Sequence, residues 1–198
     1  MPELPKKGFS PTQEADCNAP KPPKQLFGEM YEWVECGVIT IACVVLLFTF
    51  VARTSVVSGK SMLQTLQDGD MLVVSRLFYQ PKQGDIIVVT KPNRENEPLV
   101  KRIIATSNQS VDIDFDSGLV MVDGKALHES YINTPTNLYY DVKFPIIVPE
   151  GELFVMGDNR NGSLDSRSTA IGTVDERYVL GKAWVRILPF GSFGSLYQ

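Results

Sequence analysis

The hydrophobic positions of this chain follow two patterns, one unbroken and one alternating. Residues 36–52 contain no charged side chain, and Val34 begins the apolar run slightly earlier. At 1.5 Å per residue this run covers roughly 25 Å as a helix, close to the ~30 Å hydrocarbon core of a bilayer. A cleaved secretion signal has a shorter apolar core nearer the N-terminus, and a buried core helix is seldom so uniformly apolar. The pattern predicts one transmembrane helix at residues 34–53.

The rest of the chain shows short apolar stretches separated by turn residues. Several of them alternate apolar and polar positions with the period of two that is typical of strands, and Asp123-Gly124 is a hairpin signal. No amphipathic helix of twelve residues stands between them. The pattern predicts a mainly β domain at residues 54–198, built as a barrel or a sandwich. The stretches are 84–90, 99–106, 110–125, 143–158 and 177–190.

The first 33 residues differ from both patterns in composition. They are rich in Pro, Lys and Glu, a composition that buries too little apolar surface to fold, so a disordered tail is predicted at residues 1–33. Lys21 and Lys24 stand just before the apolar run, and basic residues favour the cytoplasmic side of a membrane. The sequence thus predicts a single-pass protein of the cell membrane, with a cytoplasmic N-terminus and residues 54–198 outside.

Composition narrows the choice of partners. The net charge is -4 and the pI is about 5.1, so nothing indicates a nucleic acid partner. All three cysteines, Cys17, Cys36 and Cys43, lie in the predicted tail or helix. The outer domain is therefore expected to hold together through its core, without disulfides.

A serine in the first turn-rich segment raises the question of chemistry. Gly59-Lys60-Ser61 matches the end of a phosphate-binding loop, but such a loop needs a glycine at the position of Thr54. Residues 68–70 also stop any helix after the motif. We therefore expect no nucleotide here and consider Ser61 as a nucleophile.

A serine nucleophile needs a base, and this chain has a single histidine, His128, which follows a hairpin turn like an exposed strand residue. A lysine serves as the base only when it is neutral, and burial lowers its pKa from about 10.4. Lys101 lies in a run of strand formers. Strand alternation would place Val100 on the other face and turn Arg102 outward if Lys101 points inward. From this segment alone, a solvated lysine remains the alternative.

Residues 157–167, GDNRNGSLDSR, concentrate charged and hydroxyl side chains behind an apolar strand. Asp158 with Arg160, or Asp165 with Arg167, could form charge-assisted pairs that make the loop rigid. A serine hydroxyl of this loop could then orient the lysine amine. A solvated loop is the alternative.

The stretches SGKSMLQTL, GDIIVV, VKRIIA and GDNRNGSLDSR, in this order behind an apolar helix, resemble those of bacterial type I signal peptidases. These are membrane-anchored serine endopeptidases with a Ser/Lys dyad, and the likeness covers nearly all of residues 54–190. It implies a mainly β, two-sheet, barrel-like fold and cleavage of signal peptides from secreted preproteins after Ala-x-Ala. It further implies that Ser61 is the nucleophile, Lys101 the general base and Ser163 the hydroxyl that positions the lysine. Neither a cofactor nor a metal is predicted.

The resemblance also assigns supporting residues and shows departures. Asp165 and Arg167 would brace the site, with Asp158 and Arg160 in the same loop. Proline usually stands where this chain has Gln64, and residues 105–109 replace a Gly-x-Pro-Gly-Asp segment.

Gly59 stands where some members of the family carry an oxyanion-binding serine. The oxyanion would then rely on backbone N–H groups, chiefly that of Ser61. Ser58 could substitute only if the turn differed.

The predicted substrate binds as an added strand beside residues 56–58 and 99–100. Its small side chains would enter apolar pockets, and core packing is the alternative role for the residues that form them. The predicted substrate-binding residues are Val57, Ser58, Met62, Leu66, Leu99 and Val100. The apolar tips at 76–80 and 188–193 are candidates for contact with the bilayer.

Of three other interpretations, the first stays open, and the residues argue against the other two. A signal-peptidase-like protein dedicated to pilus or surface-protein assembly, weakly active or non-catalytic, would share the fold. A self-cleaving Ser/Lys repressor of related fold would need a DNA-binding module. A histidine-dependent signal peptidase would have His at the position of Lys101.

Overall fold

The computed structural model describes residues 23–50, 52–90 and 98–197. These residues belong to two units, one ending at Val44 and the other beginning at Val45. The helix α1 spans Pro23–Phe50. Residues 23–33, predicted as part of a disordered tail, are therefore helical. Proline suits the first turn of a helix, and the Gln, Leu, Glu and Met that follow are good helix formers. The predicted tail over 1–22 lies outside the described residues.

Apolar side chains of α1 stand exposed within its own unit, among them Trp33, Val38 and Ile41. No helix in the described part of the chain has both the length and the apolar character that crossing a bilayer requires. The transmembrane helix predicted at 34–53 is not confirmed.

The remaining described residues form two antiparallel sheets. The strands are β1 (Arg53–Val56), β2 (Met71–Ser75), β3 (Ile86–Val89), β4 (Leu99–Ala105), β5 (Ser110–Asp114), β6 (Leu119–Val122), β7 (Lys125–Ala126), β8 (Ile146–Ile147), β9 (Glu152–Met156), β10 (Val174–Asp175), β11 (Val179–Leu188) and β12 (Gly194–Ser195). The larger sheet has the order β1-β2-β11-β3-β4-β9-β10, with β12 beside β11, and the smaller has the order β7-β6-β5-β8. The prediction of a mainly β, two-sheet domain is confirmed.

The hairpin predicted from Asp123-Gly124 is present in the structure. Asp123 and Gly124 both take positive φ, 51° and 72°, between β6 and β7. A two-residue turn of this kind matches the twist of the strands it joins.

The larger sheet is covered on both faces. Ile86 and Val88 of β3 pack in one apolar cluster, while Ile87 and Val89 pack in another. Because successive side chains point to opposite faces, burial of both faces needs an unbroken apolar run. In the register of β3 with β4, Lys101 lies opposite Ile87. Lys101 therefore lies in the interior of the domain, on a central strand of the larger sheet.

Candidate active site

Lys101 is the buried cation at the centre of this arrangement. It is 2% exposed, and its Nζ atom lies 3.2 Å from Ser163 Oγ, within hydrogen-bond distance. Burial lowers the pKa of Lys101 to about 8; Asp165 and Asp158 act in the opposite direction, and Arg167 adds to the lowering. A lysine with this pKa is partly neutral near physiological pH, as a general base requires.

Ser61 is held against the 157–163 segment by its backbone. Its carbonyl oxygen accepts a hydrogen bond of 3.0 Å from the Asn159 N–H, and the Asn159 side chain donates to the Lys60 carbonyl at 3.0 Å. The side chain of Ser61 is half-buried. Within the described residues its hydroxyl forms no hydrogen bond, so the hydrogen-bond partner of the Lys101 amine is Ser163.

Ser61 and Ser163 both pack closely against Gly157. A Cβ at this position would lie 2.2 Å from Ser163 Oγ and 2.4 Å from the Ser61 carbonyl oxygen. Both atoms therefore surround the glycine Cα, and no larger residue fits without moving one of them. Through Ser163, this contact brings the backbone of Ser61 into the neighbourhood of Lys101.

A buried ion pair supports Ser163. Asp165 and Arg167 are both fully buried, and Arg167 Nε lies 2.8 Å from Asp165 Oδ1. Arg167 Nη2 also donates to the carbonyls of Ser163 (3.2 Å) and Arg160 (2.6 Å), while Asp165 accepts from the Gly157 N–H (3.1 Å). The predicted pairing of Asp165 with Arg167 is confirmed.

The alternative pairing, of Asp158 with Arg160, does not form. Asp158 instead accepts two hydrogen bonds from Arg102, at 2.8 and 2.7 Å, and one from the Thr65 hydroxyl. Arg102 was expected to turn outward to solvent, yet it is only 5% exposed. It does lie on the face opposite Lys101, as alternation requires, but that face is covered by Tyr131, whose ring centre is 3.9 Å from the guanidinium.

Arg160 pairs with Glu129 and donates to the Thr136 hydroxyl at 2.8 Å. These contacts fix residues 129–136 against the loop. Asp158 and Arg160 therefore brace the loop through partners far away in sequence.

The turn before Ser61 uses its glycine for shape. Gly59 has φ of +85°, and its N–H donates to the Asp68 carboxylate at 2.8 Å. Ser58 is exposed beside it. The Ser61 N–H donates no hydrogen bond within the described residues.

The predicted substrate-contacting residues separate into two groups. Ser58 is exposed and Leu99 is half-buried. The other four are at most 5% exposed and pack in one hydrophobic cluster: Val57, Met62, Leu66 and Val100. Their position is that of core residues, and their contact with a substrate stays a prediction.

Gln64 has a backbone conformation that proline cannot take. Its φ is +91°, whereas proline is held near -65°. We expect Gln64→Gly to raise the free energy of unfolding by about 0.5 kcal/mol, because glycine adopts positive φ without strain. Gln64→Pro should lower it by about 2 kcal/mol or more, because proline would force the turn open. Urea unfolding of the full chain in detergent measures both.

The exposed Gln67 provides the matched control for Gln64, since its φ is not positive. Gln67→Gly should lower stability by about 0.5–1 kcal/mol, the ordinary effect of added chain freedom. A loss of stability in Gln64→Gly as large as that in Gln67→Gly would contradict the assignment of strain to Gln64.

Comparison with known proteins decides the family. The sequence profile of the family described as "Signal peptidase, peptidase S26" matches residues 30–188. The chain belongs to this family. It is therefore a serine peptidase, a hydrolase.

Individual relatives agree with the family match. This signal peptidase family member is 36% identical over 168 residues to the probable signal peptidase I-1 of Synechocystis sp., covering 80% of this chain and 82% of the relative. It is 33% identical over 171 residues to signal peptidase I of Bacillus licheniformis, covering 81% and 90%. A crystal structure of a signal peptidase I from Enterococcus faecalis V583 has 30% identity and a TM-score of 0.43, covering 52% of this chain and 97% of that one.

Several positioning residues of this peptidase were missed by sequence reasoning. Asn159 ties the turn of Ser61 to the loop, and the Tyr140 hydroxyl donates to the Ser163 carbonyl at 3.0 Å. Gly157 had a usable signal, since a glycine between a buried strand and a polar loop often permits close approach of another chain segment. Asn159 and Tyr140 had none, because their partners lie 98 and 23 residues away.

Proposed function

We propose that this peptidase cleaves signal peptides from secreted preproteins with a dyad of Ser61 and Lys101. The observation that carries the proposal is the buried Lys101 amine, hydrogen-bonded to Ser163 beside the backbone of Ser61. A cation buried without a bonded carboxylate costs stability, so a functional reason for keeping it is expected. The names of the relatives above supply the substrate class.

In the proposed reaction the neutral Lys101 amine accepts the hydroxyl proton of Ser61. The alkoxide oxygen attacks the scissile carbonyl carbon, and the protonated lysine returns its proton to the leaving amine as the peptide bond breaks. Water, deprotonated by the same lysine, then hydrolyses the ester and releases Ser61. Ser163 holds the amine in place, and the Ser61 N–H stabilises the oxyanion. Catalytic hydrogen bonds often close only with substrate bound, so the Ser61 hydroxyl is expected to reach the amine in that complex.

The sheet has room for a substrate strand. β1 pairs with β2 on one side and stands at the edge of the larger sheet. Leu99 and Val100 pair with β3, while β9 pairs with β4 only from Arg102 onward. Among the described residues, each predicted docking segment thus has an unpaired edge to which an extended peptide could add. We propose that the peptide is cut after small residues, in Ala-x-Ala sequences.

We also propose that the chain is anchored in the cell membrane by the apolar run of 34–53, with its N-terminus in the cytoplasm. The two apolar tips support this proposal, since Phe78 is 95% exposed, Phe190 83% and Phe193 65%. Aromatic side chains displayed in this way are suited to a membrane interface. Retention of the protein in membranes during alkaline carbonate extraction tests the anchor, and its release would contradict it.

The substrate proposal is tested with the detergent-solubilised full chain and a purified preprotein. Mass spectrometry of the products should show one cut, directly after a small residue at the end of the signal peptide. The Ser61→Ala variant should leave the preprotein intact. Binding of the preprotein by the unmodified chain without any cut would favour a non-catalytic role in surface-protein assembly.

The activity should follow the charge of Lys101. Its pKa lies near 8 in the folded protein, so the neutral amine becomes about tenfold rarer for each pH unit below that value. We expect kcat/KM for a signal-peptide substrate to rise about tenfold per pH unit up to about pH 8 and then to level off. Initial rates between pH 6 and 10 measure this, and a profile that is flat from pH 6 to 8 would contradict Lys101 as the base.

A further inference from the structure

A cationic pocket lies in the β domain apart from the candidate active-site residues. It is a cavity of about 230 Å³ with three arginines in its lining, Arg53 from β1, Arg76 after β2 and Arg177 before β11. No acidic side chain stands among its described lining residues. In a chain of net charge -4, three arginines in the lining of one cavity are a local exception.

The positive charge of this pocket is only partly compensated. Arg177 is paired with Asp175 at 2.6 Å. Arg53 and Arg76 have no ion pair with any described residue, and Arg76 Nη1 lies 3.4 Å from the Arg177 carbonyl oxygen. Like charges held around one cavity repel each other. A bound anion would relieve this repulsion and accept the forked donors that suit phosphate oxygens.

The surroundings of the pocket indicate where such an anion would come from. Arg53 follows the end of α1 at Phe50 by three residues. Leu77 and Phe78 directly follow Arg76 and are 51% and 95% exposed. Phe78 has φ of +52°, a conformation that bulky residues seldom take, so the backbone holds this ring outward at some cost. Exposed apolar side chains beside basic ones are typical of segments that lie in the membrane interface.

We propose that the pocket of Arg53, Arg76 and Arg177 binds the phosphate of an anionic phospholipid headgroup, with Leu77 and Phe78 entering the acyl boundary. This inference rests on the membrane location in the proposed function, but not on the catalytic dyad. A lipid bound here would fix the orientation of the β domain on the bilayer surface.

Native mass spectrometry of the full chain in a neutral detergent tests the site, with phosphatidylglycerol or phosphatidylcholine added. We expect phosphatidylglycerol to be retained at least tenfold more tightly. One arginine near an anionic lipid contributes roughly a fivefold gain in affinity, so replacing all three by Gln should weaken retention on the order of 100-fold. The matched control removes three exposed lysines elsewhere, through Lys82→Gln, Lys125→Gln and Lys143→Gln, and should leave retention unchanged.

Equal retention of the two lipids, or retention unaffected by the arginine replacements, would overturn the proposal. Displacement of both lipids by millimolar inorganic phosphate would assign the pocket to a free anion instead. Displacement by an acidic peptide would assign it to a protein partner. The measurement needs no cleavage, so the Ser61→Ala variant should retain phosphatidylglycerol as the unmodified chain does. Failure of the peptidase mechanism and failure of this site are thereby told apart.

Discussion

Replacing Lys101 by Met is expected to abolish cleavage and to stabilise the protein. Loss of the proposed general base should lower kcat/KM by roughly 10³-fold or more, as for other residues that act as one unit with a nucleophile. Stability should change in the opposite direction, because methionine fills the site without a charge. The pKa of Lys101 is about 8 in the folded protein, lower than that of a lysine in the unfolded chain. On folding, the amine must therefore either release its proton or be buried with its charge, and both lower the free energy of unfolding.

The sign of the stability effect follows from linkage. Below about pH 8 the amine is charged in both the folded and the unfolded states, and the burial penalty is present in full. Between pH 8 and the unfolded pKa the folded state has lost its proton, and the penalty declines as pH rises. We therefore expect Lys101→Met to raise the free energy of unfolding by about 1–3 kcal/mol at pH 7, and by much less at pH 10.

Denaturant unfolding at the two pH values measures this difference, and rate assays on the same samples measure the loss of activity. Lys125→Met is the control, since Lys125 is exposed at the end of a hairpin, and it should change neither quantity. A Lys101→Met protein that keeps its activity would refute the dyad. One that is destabilised at pH 7 would refute the burial penalty.

Arg167→Met is expected to produce the largest loss of stability. Arg167 and its partner Asp165 are both fully buried, so removal of the guanidinium leaves a carboxylate without its main partner. It also removes donors from the carbonyls of Ser163, Arg160 and Leu138. Breaking a buried pair in this way lowers the free energy of unfolding by about 3–5 kcal/mol. Activity should fall with it, because Ser163 loses its support.

The chain contains a matched control for this experiment. Asp175 and Arg177 have the same spacing and the same kind of contact, but Arg177 is 85% exposed. Arg177→Met should leave thermal unfolding in neutral detergent essentially unchanged, since exposed pairs are screened by water. Asp165→Asn together with Arg167→Met should recover part of the lost stability, because no unpaired charge then remains. Equal effects of Arg167→Met and Arg177→Met would contradict the role of burial.

Much of the fold could be predicted because its signals are local. The unbroken apolar residues of β3 are buried on both faces, and the Asp123-Gly124 turn joins two strands. The strands β1, β2, β10 and β12 were not predicted. Arg53–Val56, which forms β1, was included in the apolar run and the segment after it. The helical start of α1 at Pro23 escaped because the surrounding composition resembled a disordered tail.

In the candidate site, too, local features could be predicted from the sequence and the surroundings of each side chain could not. Local alternation was enough to predict that Lys101 and Arg102 lie on opposite faces of β4. The Asp-x-Arg spacing occurs twice in the loop, and of the two pairs it suggested only that of Asp165 with Arg167 forms. Alternation cannot tell what covers each face. Tyr131 covers the face of Arg102 and keeps it out of solvent.

The sequence by itself determined the longer central strands β3, β4, β9 and β11, the hairpin turn, the family and the two residues proposed as the dyad, because each depends on short-range periodicity or on a contiguous motif. Only the tertiary structure decided that Arg102 binds Asp158, that Glu129 binds Arg160, and that Gly157 lets Ser61 approach Ser163. Those contacts join segments distant in the chain. Their partners are selected by how loops pack and by which charges must be neutralised together inside the protein, and no local pattern of residues records that choice.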